Sequence, residues 1–435
     1  MIVFGRRLIS LPRRSGYLAA LPDRLAEWSP FGALITGVLM STTVFAESTA
    51  PAPPRHSDLA ALVEGKESAD ELKAVADELE KKYENQKTPE AIKMLIAIAR
   101  GSMMGPNDGW FGPAQSRHSW KSLAERHGVD PSEGIPADKF QGKPEWFARF
   151  DRNRDGSITG EDLDWSDRNP WVQHAYAINR LLRRVDTKGD GQISRDEWLA
   201  YFDSVAGSRS EVTLEELREA WLAGISSGFY PGDAPTPDKL LKGLLTNEVG
   251  SLHEGPSLNE PAPDFVLKTQ DGRQTIRLSE VIGPKPVVLV FGNFTCGPFR
   301  SMYPGVENVY HRFKDEATFL GVYVREAHPT DGWKMESNAR VGVAVLQPKN
   351  YEERTAVAQQ CCSLLKPSIP LLVDTIDDTV GDLYSGMPAR LYVIDTAGKV
   401  AYKGGRGPFG FKVGEMEQAL LMTLLDQQPG QSGAK

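Results

Sequence analysis

Residues Val287–Pro298 read VVLVFGNFTCGP, an apolar run that ends in a short polar turn with one cysteine, Cys296. Gly297 and Pro298 follow, and a pattern typical of a helix begins there. A thiol at the start of a helix lies at the positive end of the helix dipole and near free backbone N–H groups, which lowers its pKa. Only three cysteines occur in the 435 residues. We therefore predict that Cys296 is a nucleophile.

The pattern around Cys296 predicts an α/β domain. A hairpin is expected over residues 265–278. Strands are expected after it at residues 287–291, 318–324, 370–374, 390–395 and 400–404, and helices at residues 298–313, 351–366, 380–384 and 414–425. A β–α–β start and a β–β–α finish, with a cysteine after the first strand, outline a thioredoxin-like domain. Met387-Pro388 stands where that fold places a cis-proline.

Two twelve-residue segments have the spacing of an EF-hand calcium loop, in which oxygen ligands surround the ion and a glycine makes the sharp turn. The first, residues 151–162, offers Asp151, Asn153, Asp155, Ser157 through its carbonyl, Thr159 and Asp162. The second, residues 186–197, offers Asp186, Asp190, Gln192, Ser194 and Glu197. Ile158 and Ile193 predict a short strand contact between the loops.

Each calcium loop departs from the ideal pattern. The first ends in Asp162, which is shorter than the usual bidentate glutamate, and the second carries Lys188 where a cation repels the ion. We predict that calcium is a cofactor of this pair. An EF-hand pair that keeps its fold without binding an ion remains the alternative.

The composition is that of a soluble multidomain protein, with 40% hydrophobic and 25% charged residues. A net charge of −8 gives no footprint for nucleic acid or an anionic membrane. We predict an all-α EF-hand domain followed by an α/β thioredoxin-like domain. The expected order is signal peptide 1–46, linker and helical segment 47–104, EF-hand pair 105–230, linker 231–258, thioredoxin-like domain 259–426 and disordered tail 427–435. The segment near residues 59–100 predicts two helices that separate near Pro89.

The N-terminus resembles an export signal. Arginines precede an uncharged stretch, Ser29–Ala46, which is short and broken by Pro30 and by glycines. This predicts cleavage after Ala46, a periplasmic or extracellular location, and no stable membrane span in the mature protein. An uncleaved membrane anchor is the alternative.

Two motifs carry a resemblance to a known family. Phe291–Phe299, FGNFTCGPF, resembles the active-site segment of the iodothyronine deiodinase family, with cysteine in place of the family's selenocysteine. Val322–Trp333, VYVREAHPTDGW, is similar to the second signature of that family, and residues 373–375, 383–384, 388–394 and 402–404 continue the match. The resemblance implies that Tyr323, Glu326 and His328 act in proton relay or substrate placement and that Thr295 neighbours the nucleophile.

The residues themselves support such chemistry. Glu326 and His328 are two positions apart at the end of a strand, so they face the same side, toward the edge where Cys296 is expected. A Glu–His pair suits proton delivery, and a thiolate attacks iodine, sulfur or peroxide oxygen. The alternative is that both residues only brace the loop through hydrogen bonds.

We predict a thiol-dependent oxidoreductase that removes iodine from a small molecule in a thyroxine deiodinase-type reaction, using an external thiol reductant. A general thiol reductase or one-cysteine peroxidase is one alternative, and a non-catalytic calcium-binding protein is another. Phe299 replaces the second cysteine of a CxxC pair, which excludes that redox chemistry. Cys361 or Cys362 resolves an oxidised Cys296 if their helix lies nearby; otherwise both are core residues.

Overall fold

The computed structural model describes residues 54–66, 68–102, 113–223 and 233–428. The predicted signal peptide at 1–46 lies outside the described residues, as does most of the predicted tail. Among the residues described, no helix is long and apolar enough to cross a membrane.

The N-terminal segment forms three helices, α1 His56–Val63, α2 Ala69–Lys82 and α3 Glu90–Ala99, rather than the two that were predicted. The additional break comes from a capping box that begins α2. The Ser68 N–H donates to Glu71 Oε2 at 3.0 Å, and the Glu71 N–H donates to Ser68 Oγ at 3.3 Å. These reciprocal bonds satisfy backbone donors that a helix start leaves free.

The middle of the chain is mainly helical. It contains β1 Gln115–Ser116, α4 Trp120–Arg126, β2 Ile135–Pro136, α5 Pro144–Phe150, β3 Ser157–Ile158, α6 Pro170–Leu182, α7 Arg195–Ala206, α8 Leu214–Leu222 and α9 Pro237–Leu245. The predicted contact between Ile158 and Ile193 is wrong, because Ile158 pairs with Ile135 in the β2–β3 ladder. Ile193 is 37% exposed. The EF-hand region therefore contains a strand pair and is not all-α.

The C-terminal region alternates strands and helices. It contains β4 Val266–Thr269, β5 Thr275–Arg277, α10 Leu278–Val281, β6 Val287–Gly292, α11 Gly297–Phe313, β7 Thr318–Tyr323, α12 Glu336–Arg340, α13 Tyr351–Leu365, β8 Leu371–Val373, α14 Thr379–Leu383, β9 Arg390–Ile394, β10 Val400–Lys403 and α15 Val413–Gln427. The hairpin and the strands and helices predicted from the sequence are confirmed, with small differences at their ends.

These strands build a sheet in the order β1-β10-β9-β6-β7-β8-β4-β5. Strands β6, β7 and β8 are parallel, whereas β9 is antiparallel to β6 and β10 to β9. This is the predicted β–α–β start and β–β–α finish of a thioredoxin-like fold, and the Met387–Pro388 peptide bond is cis, as predicted.

One apolar core joins the EF-hand region to the sheet. Leu123, Trp146 and Phe150 belong to the same buried cluster as the central strands and α15. Strand β1 also extends the sheet by pairing with β10. A second, smaller core forms where α1, α2 and α3 pack with α9.

Candidate active site

The parallel strands β6 and β7 end at the same edge of the sheet, with Gly292 opposite Tyr323. The turn after β6, residues 293–296, therefore lies beside the segment 324–328 that follows β7. We call residues 293–296 the nucleophile turn. The Thr295 N–H donates to Glu326 Oε2 at 2.8 Å, which fixes the two segments together.

Cys296 is the N-cap residue of α11, and its backbone N–H donates to Asn293 Oδ1 at 2.9 Å. The side chain is 2% exposed. Burial raises the pKa of the thiol to about 11, although the Phe299 N–H and the charge of Arg300 act in the opposite direction. The predicted lowering of the pKa is therefore wrong for this arrangement, because loss of hydration outweighs the helix terminus.

Glu326 is fully buried and accepts hydrogen bonds from two neighbours. The Thr295 hydroxyl donates to Glu326 Oε2 at 2.7 Å, and the Tyr323 hydroxyl donates to Glu326 Oε1. Burial raises the pKa of Glu326, and these hydrogen bonds oppose the rise. Tyr323, Glu326 and Thr295 thus form a buried chain of hydrogen bonds directly beside Cys296.

His328 joins the site through its backbone. Its N–H donates to Thr295 Oγ1 at 2.9 Å, while ring atom Nδ1 lies 3.1 Å from the carbonyl oxygen of Trp333. The imidazole ring of His328 and the indole ring of Trp333 are perpendicular, with centroids 4.9 Å apart. Burial lowers the pKa of His328 to about 4, so the imidazole is neutral at neutral pH. A neutral ring that donates from Nδ1 leaves Nε2 as an acceptor.

Sequence reasoning missed two amides that support the site. Asn293 Oδ1 accepts the N–H groups of Cys296 and, at 3.3 Å, of Ala327, and its Nδ2 donates to the Pro388 carbonyl at 3.0 Å. Gln347 pairs with the backbone N–H and carbonyl of Glu326 at 3.1 and 3.0 Å. A polar amide directly after an apolar strand was the available signal for Asn293, whereas Gln347 follows no pattern in the sequence.

The two other cysteines lie on α13. Cys361 is buried, Cys362 is half-buried, and neither of them nor Cys296 forms a disulfide. Burial raises the pKa of Cys361. Their role as resolving thiols stays a prediction.

The first calcium loop is folded around its own backbone. Asp151 accepts the N–H groups of Asp155 and Gly156 at 3.1 and 3.0 Å, and Asp162 Oδ2 accepts from Thr159 N and Oγ1 at 2.8 and 3.0 Å. Gly156 has φ +90°, which the sharp turn requires. The atoms of this loop that could contact calcium are all oxygen atoms, which calcium prefers as ligands. Across the described ranges, however, no three His, Cys, Asp or Glu side chains gather as a metal centre.

The second loop is closed by a lysine. The ammonium of Lys188 lies 3.5 Å from Glu197 Oε2 and 3.4 Å from Ser194 Oγ. Glu197 also accepts from Ser194 N at 2.9 Å, and Asp186 accepts from Gly191 N at 2.8 Å. The Lys188 ammonium therefore neutralises the carboxylate that a bound cation would contact.

Comparison with protein families supports the assignment of both the thioredoxin-like region and the EF-hand region. The sequence model of the iodothyronine deiodinase family matches residues 239–423, and the EF-hand model matches residues 144–164 and 178–202. Among solved structures, the chain is similar to a thiol:disulfide interchange protein of the thioredoxin family from Chlorobium tepidum, with 19% identity and a TM-score of 0.27. That match covers 39% of this chain and 99% of the bacterial chain.

The curated relatives correct one prediction. They include a thyroxine 5-deiodinase of Gallus gallus and a type II iodothyronine deiodinase of Sus scrofa. Because these are animal proteins named as deiodinases and not as exported proteins, the predicted periplasmic or extracellular location is wrong.

The likeness extends over most of each relative. The Gallus gallus protein is 32% identical over 53% of this chain and 88% of its own length. The Sus scrofa protein is 31% identical over 49% of this chain and 77% of its own length. The family match includes the nucleophile turn and Glu326. The chain belongs to the iodothyronine deiodinase family, a family of oxidoreductases.

Proposed function

We propose that this chain catalyses a thyroxine deiodinase-type reductive dehalogenation of a small molecule, with Cys296 as the nucleophile and an external thiol as the reductant. The observation that carries the proposal is the buried hydrogen-bond chain from Tyr323 through Glu326 to Thr295, next to a thiol at the start of α11. A soft nucleophile and a protected proton source are the two groups that such a reaction needs.

The proposed reaction uses these groups in order. The Cys296 sulfur attacks iodine, the electrons of the carbon–iodine bond pass to carbon, and carbon takes a proton supplied through the Glu326 chain. The sulfur now carries iodine. A first molecule of reductant attacks that sulfur, releases iodide and forms a mixed disulfide, and a second molecule then restores the Cys296 thiol. The substrate is reduced and two thiols of the reductant are oxidised to a disulfide.

Replacing the nucleophile tests the proposal. Iodide release from an iodinated phenol, with dithiothreitol as reductant, is measured for the wild type, Cys296→Ser and Ser363→Ala. Ser363 is exposed on α13, so its variant controls for loss of a side-chain group away from the turn. We expect Cys296→Ser to lower turnover by at least about 10³-fold and Ser363→Ala to retain it. Equal turnover in Cys296→Ser and wild type overturns the proposal, and consumption of peroxide without iodide release favours the peroxidase alternative.

We also propose that the first EF-hand loop binds calcium. The turn at Gly156, the oxygen donor set and the buried carboxylates of Asp151 and Asp162 support this. Binding requires the carboxylates to be drawn together around the ion. The second loop is the weaker candidate because the Lys188 ammonium already contacts Glu197.

A further inference from the structure

The second EF-hand loop, residues 186–197, lies against the first turn of α11. Gly191 has φ +78°, and a Cβ at this position would stand 2.7 Å from the Arg300 carbonyl oxygen and 2.8 Å from that of Ser301. Both oxygens belong to the backbone of α11, which cannot move aside as a flexible side chain can. The loop therefore approaches the helix as closely as a glycine permits.

Arg300 connects this loop to the nucleophile turn. Its side chain is buried, and the guanidinium donates to three acceptors: the Phe294 carbonyl, Asn338 Oδ1 at 2.9 Å and the Gly189 carbonyl at 3.3 Å. Phe294 lies in the nucleophile turn and Gly189 lies in the loop. One side chain thus bonds both segments.

Asn338, on α12, completes the connection. Its Nδ2 donates to the Thr295 carbonyl at 2.8 Å while its Oδ1 accepts from Arg300. Arg300 and Asn338 together bind the carbonyls of Phe294 and Thr295, the two residues immediately before Cys296. A planar guanidinium with several fixed donors is suited to this role, which a lysine fills only in part.

We propose that the second EF-hand loop is a positioning element for Cys296 and that Arg300 is the positioning residue through which it acts. The proposal rests on the proposed function only in taking Cys296 as the reactive thiol. The loop keeps its shape through its own hydrogen bonds, in which the N–H groups of Gly189 and Gly191 donate to the Asp186 carboxylate at 2.7 and 2.8 Å. The EF-hand half of the chain would thereby contribute to the active site without a bound ion.

A matched pair of glycine variants tests the loop. The rate of Cys296 modification by methyl methanethiosulfonate is measured by peptide mass spectrometry, in chelator, for the full chain with Gly191→Ala or Gly207→Ala. Gly207 also has a positive φ, +62°, and a Cβ at that position would meet no other group within 4 Å, so its variant puts a side chain at a positive φ without the collision. We expect Gly191→Ala to change the rate about tenfold or more and Gly207→Ala to leave it within about twofold. Equal rates in the two variants overturn the role of the loop.

A second set of variants tests Arg300, and it decides the proposal even where Gly191→Ala does not fold. The pH dependence of the same modification is compared for Arg300→Gln, Arg300→Lys and Lys314→Gln, the last removing an exposed charge at the opposite end of α11. We expect the rate at each pH between about 7 and 10 to fall in Arg300→Gln, to recover in part in Arg300→Lys, and to stay unchanged in Lys314→Gln. Unchanged rates in a folded Arg300→Gln protein overturn the proposal. Since these measurements need no turnover, their outcome is independent of whether Cys296→Ser keeps activity.

Discussion

Cys296 is governed by two opposing influences. The start of α11 favours a thiolate, whereas removal from water favours the neutral thiol, and burial raises the pKa to about 11. Cys296 is therefore a neutral thiol at neutral pH and must lose its proton before it attacks iodine. The reactivity of the thiol should therefore rise as the pH rises.

We expect the rate of Cys296 alkylation by iodoacetamide to rise about tenfold per pH unit between about pH 7 and 10, because the thiolate fraction rises in this way below the pKa of the thiol. Mass spectrometry of the alkylated peptide over time provides the measurement. A rate that levels off above about pH 9.5 would show that the thiol ionises as an ordinary cysteine and that burial does not control it.

Glu326 is the second residue with a distinct expectation. The Glu326→Gln side chain has one acceptor oxygen instead of two, so it cannot accept the Tyr323 and Thr295 hydrogen bonds on separate oxygens. It also cannot donate a proton to the substrate. We expect kcat to fall about 10²-fold or more. Glu352→Gln, which replaces an exposed carboxylate in the first turn of α13, serves as the control. A Glu326→Gln protein with lower thermal stability but unchanged kcat would show that Glu326 only braces the loop.

The candidate site could be predicted from the sequence only where neighbouring strands bring residues together. Cys296 and Glu326 each follow a central strand, so their proximity follows from parallel pairing. Arg300 and Asn338 come from two helices and act on backbone carbonyls. No residue spacing in the sequence predicts hydrogen bonds from these side chains to backbone carbonyls.

At the scale of elements, the two EF-hand loops are expected to behave differently in calcium titrations of the full chain. We expect one binding event with a Kd between about 10⁻⁶ and 10⁻³ M, lost in Asp151→Ala. Asp203→Ala, an exposed acidic residue on α7, is the control. Isothermal titration calorimetry measures the heats, and binding that survives Asp151→Ala would contradict the assignment to the first loop.

Removing the internal cation of the second loop gives a complementary prediction. Lys188→Asp replaces the ammonium beside Glu197 with a carboxylate and should add a second binding event to the titration. The charge change favours calcium because loop affinity depends on the number of acidic ligands. A titration identical to the wild type would show that Lys188 does not limit the second loop.

The strands from β4 to β10 were predictable, whereas the two-residue strands β1, β2 and β3 were not. The central strands are continuous apolar runs, which is the pattern of a strand buried on both faces. By contrast, β1, β2 and β3 have two residues each, too few for a period to show. For this reason the sequence did not indicate that Ile158 pairs with Ile135.

At the scale of the whole molecule, a buried ion network fastens the N-terminal helices to the sheet. Glu90 on α3 binds Arg390 at 3.1 Å and Arg406 at 3.0 Å, and both arginines are fully buried. Burial alone would raise the pKa of Glu90, but the charges of Arg406 and Arg390 outweigh it and lower the pKa to about 2.

Removing Glu90 should destabilise the fold strongly, because two buried guanidinium groups would lose their counter-charge. We expect Glu90→Gln to lower the free energy of unfolding by about 3–5 kcal/mol, whereas Glu78→Gln, an exposed carboxylate on α2, changes little. Urea denaturation measures both. A change below about 1 kcal/mol in Glu90→Gln would contradict the role of the network.

The same network predicts a pH dependence. The pKa of Glu90 is lower in the folded than in the unfolded chain, so its stabilisation is fully present above about pH 4.5 and is lost as the pH falls toward about 2. Denaturation midpoints of the wild type should fall over this range more steeply than those of Glu90→Gln. Parallel curves for the two proteins would contradict the assignment.

The most direct test of Cys296 as the nucleophile is a single turnover without reductant. Excess enzyme is mixed with an iodinated phenol, the deiodinated product is quantified, and the oxidation state of each cysteine is read by mass spectrometry. We predict up to one equivalent of product per substrate, matched by oxidation of Cys296, and no product with Cys296→Ser. Full product formation while Cys296 remains a free thiol, or in the Cys296→Ser variant, would contradict it.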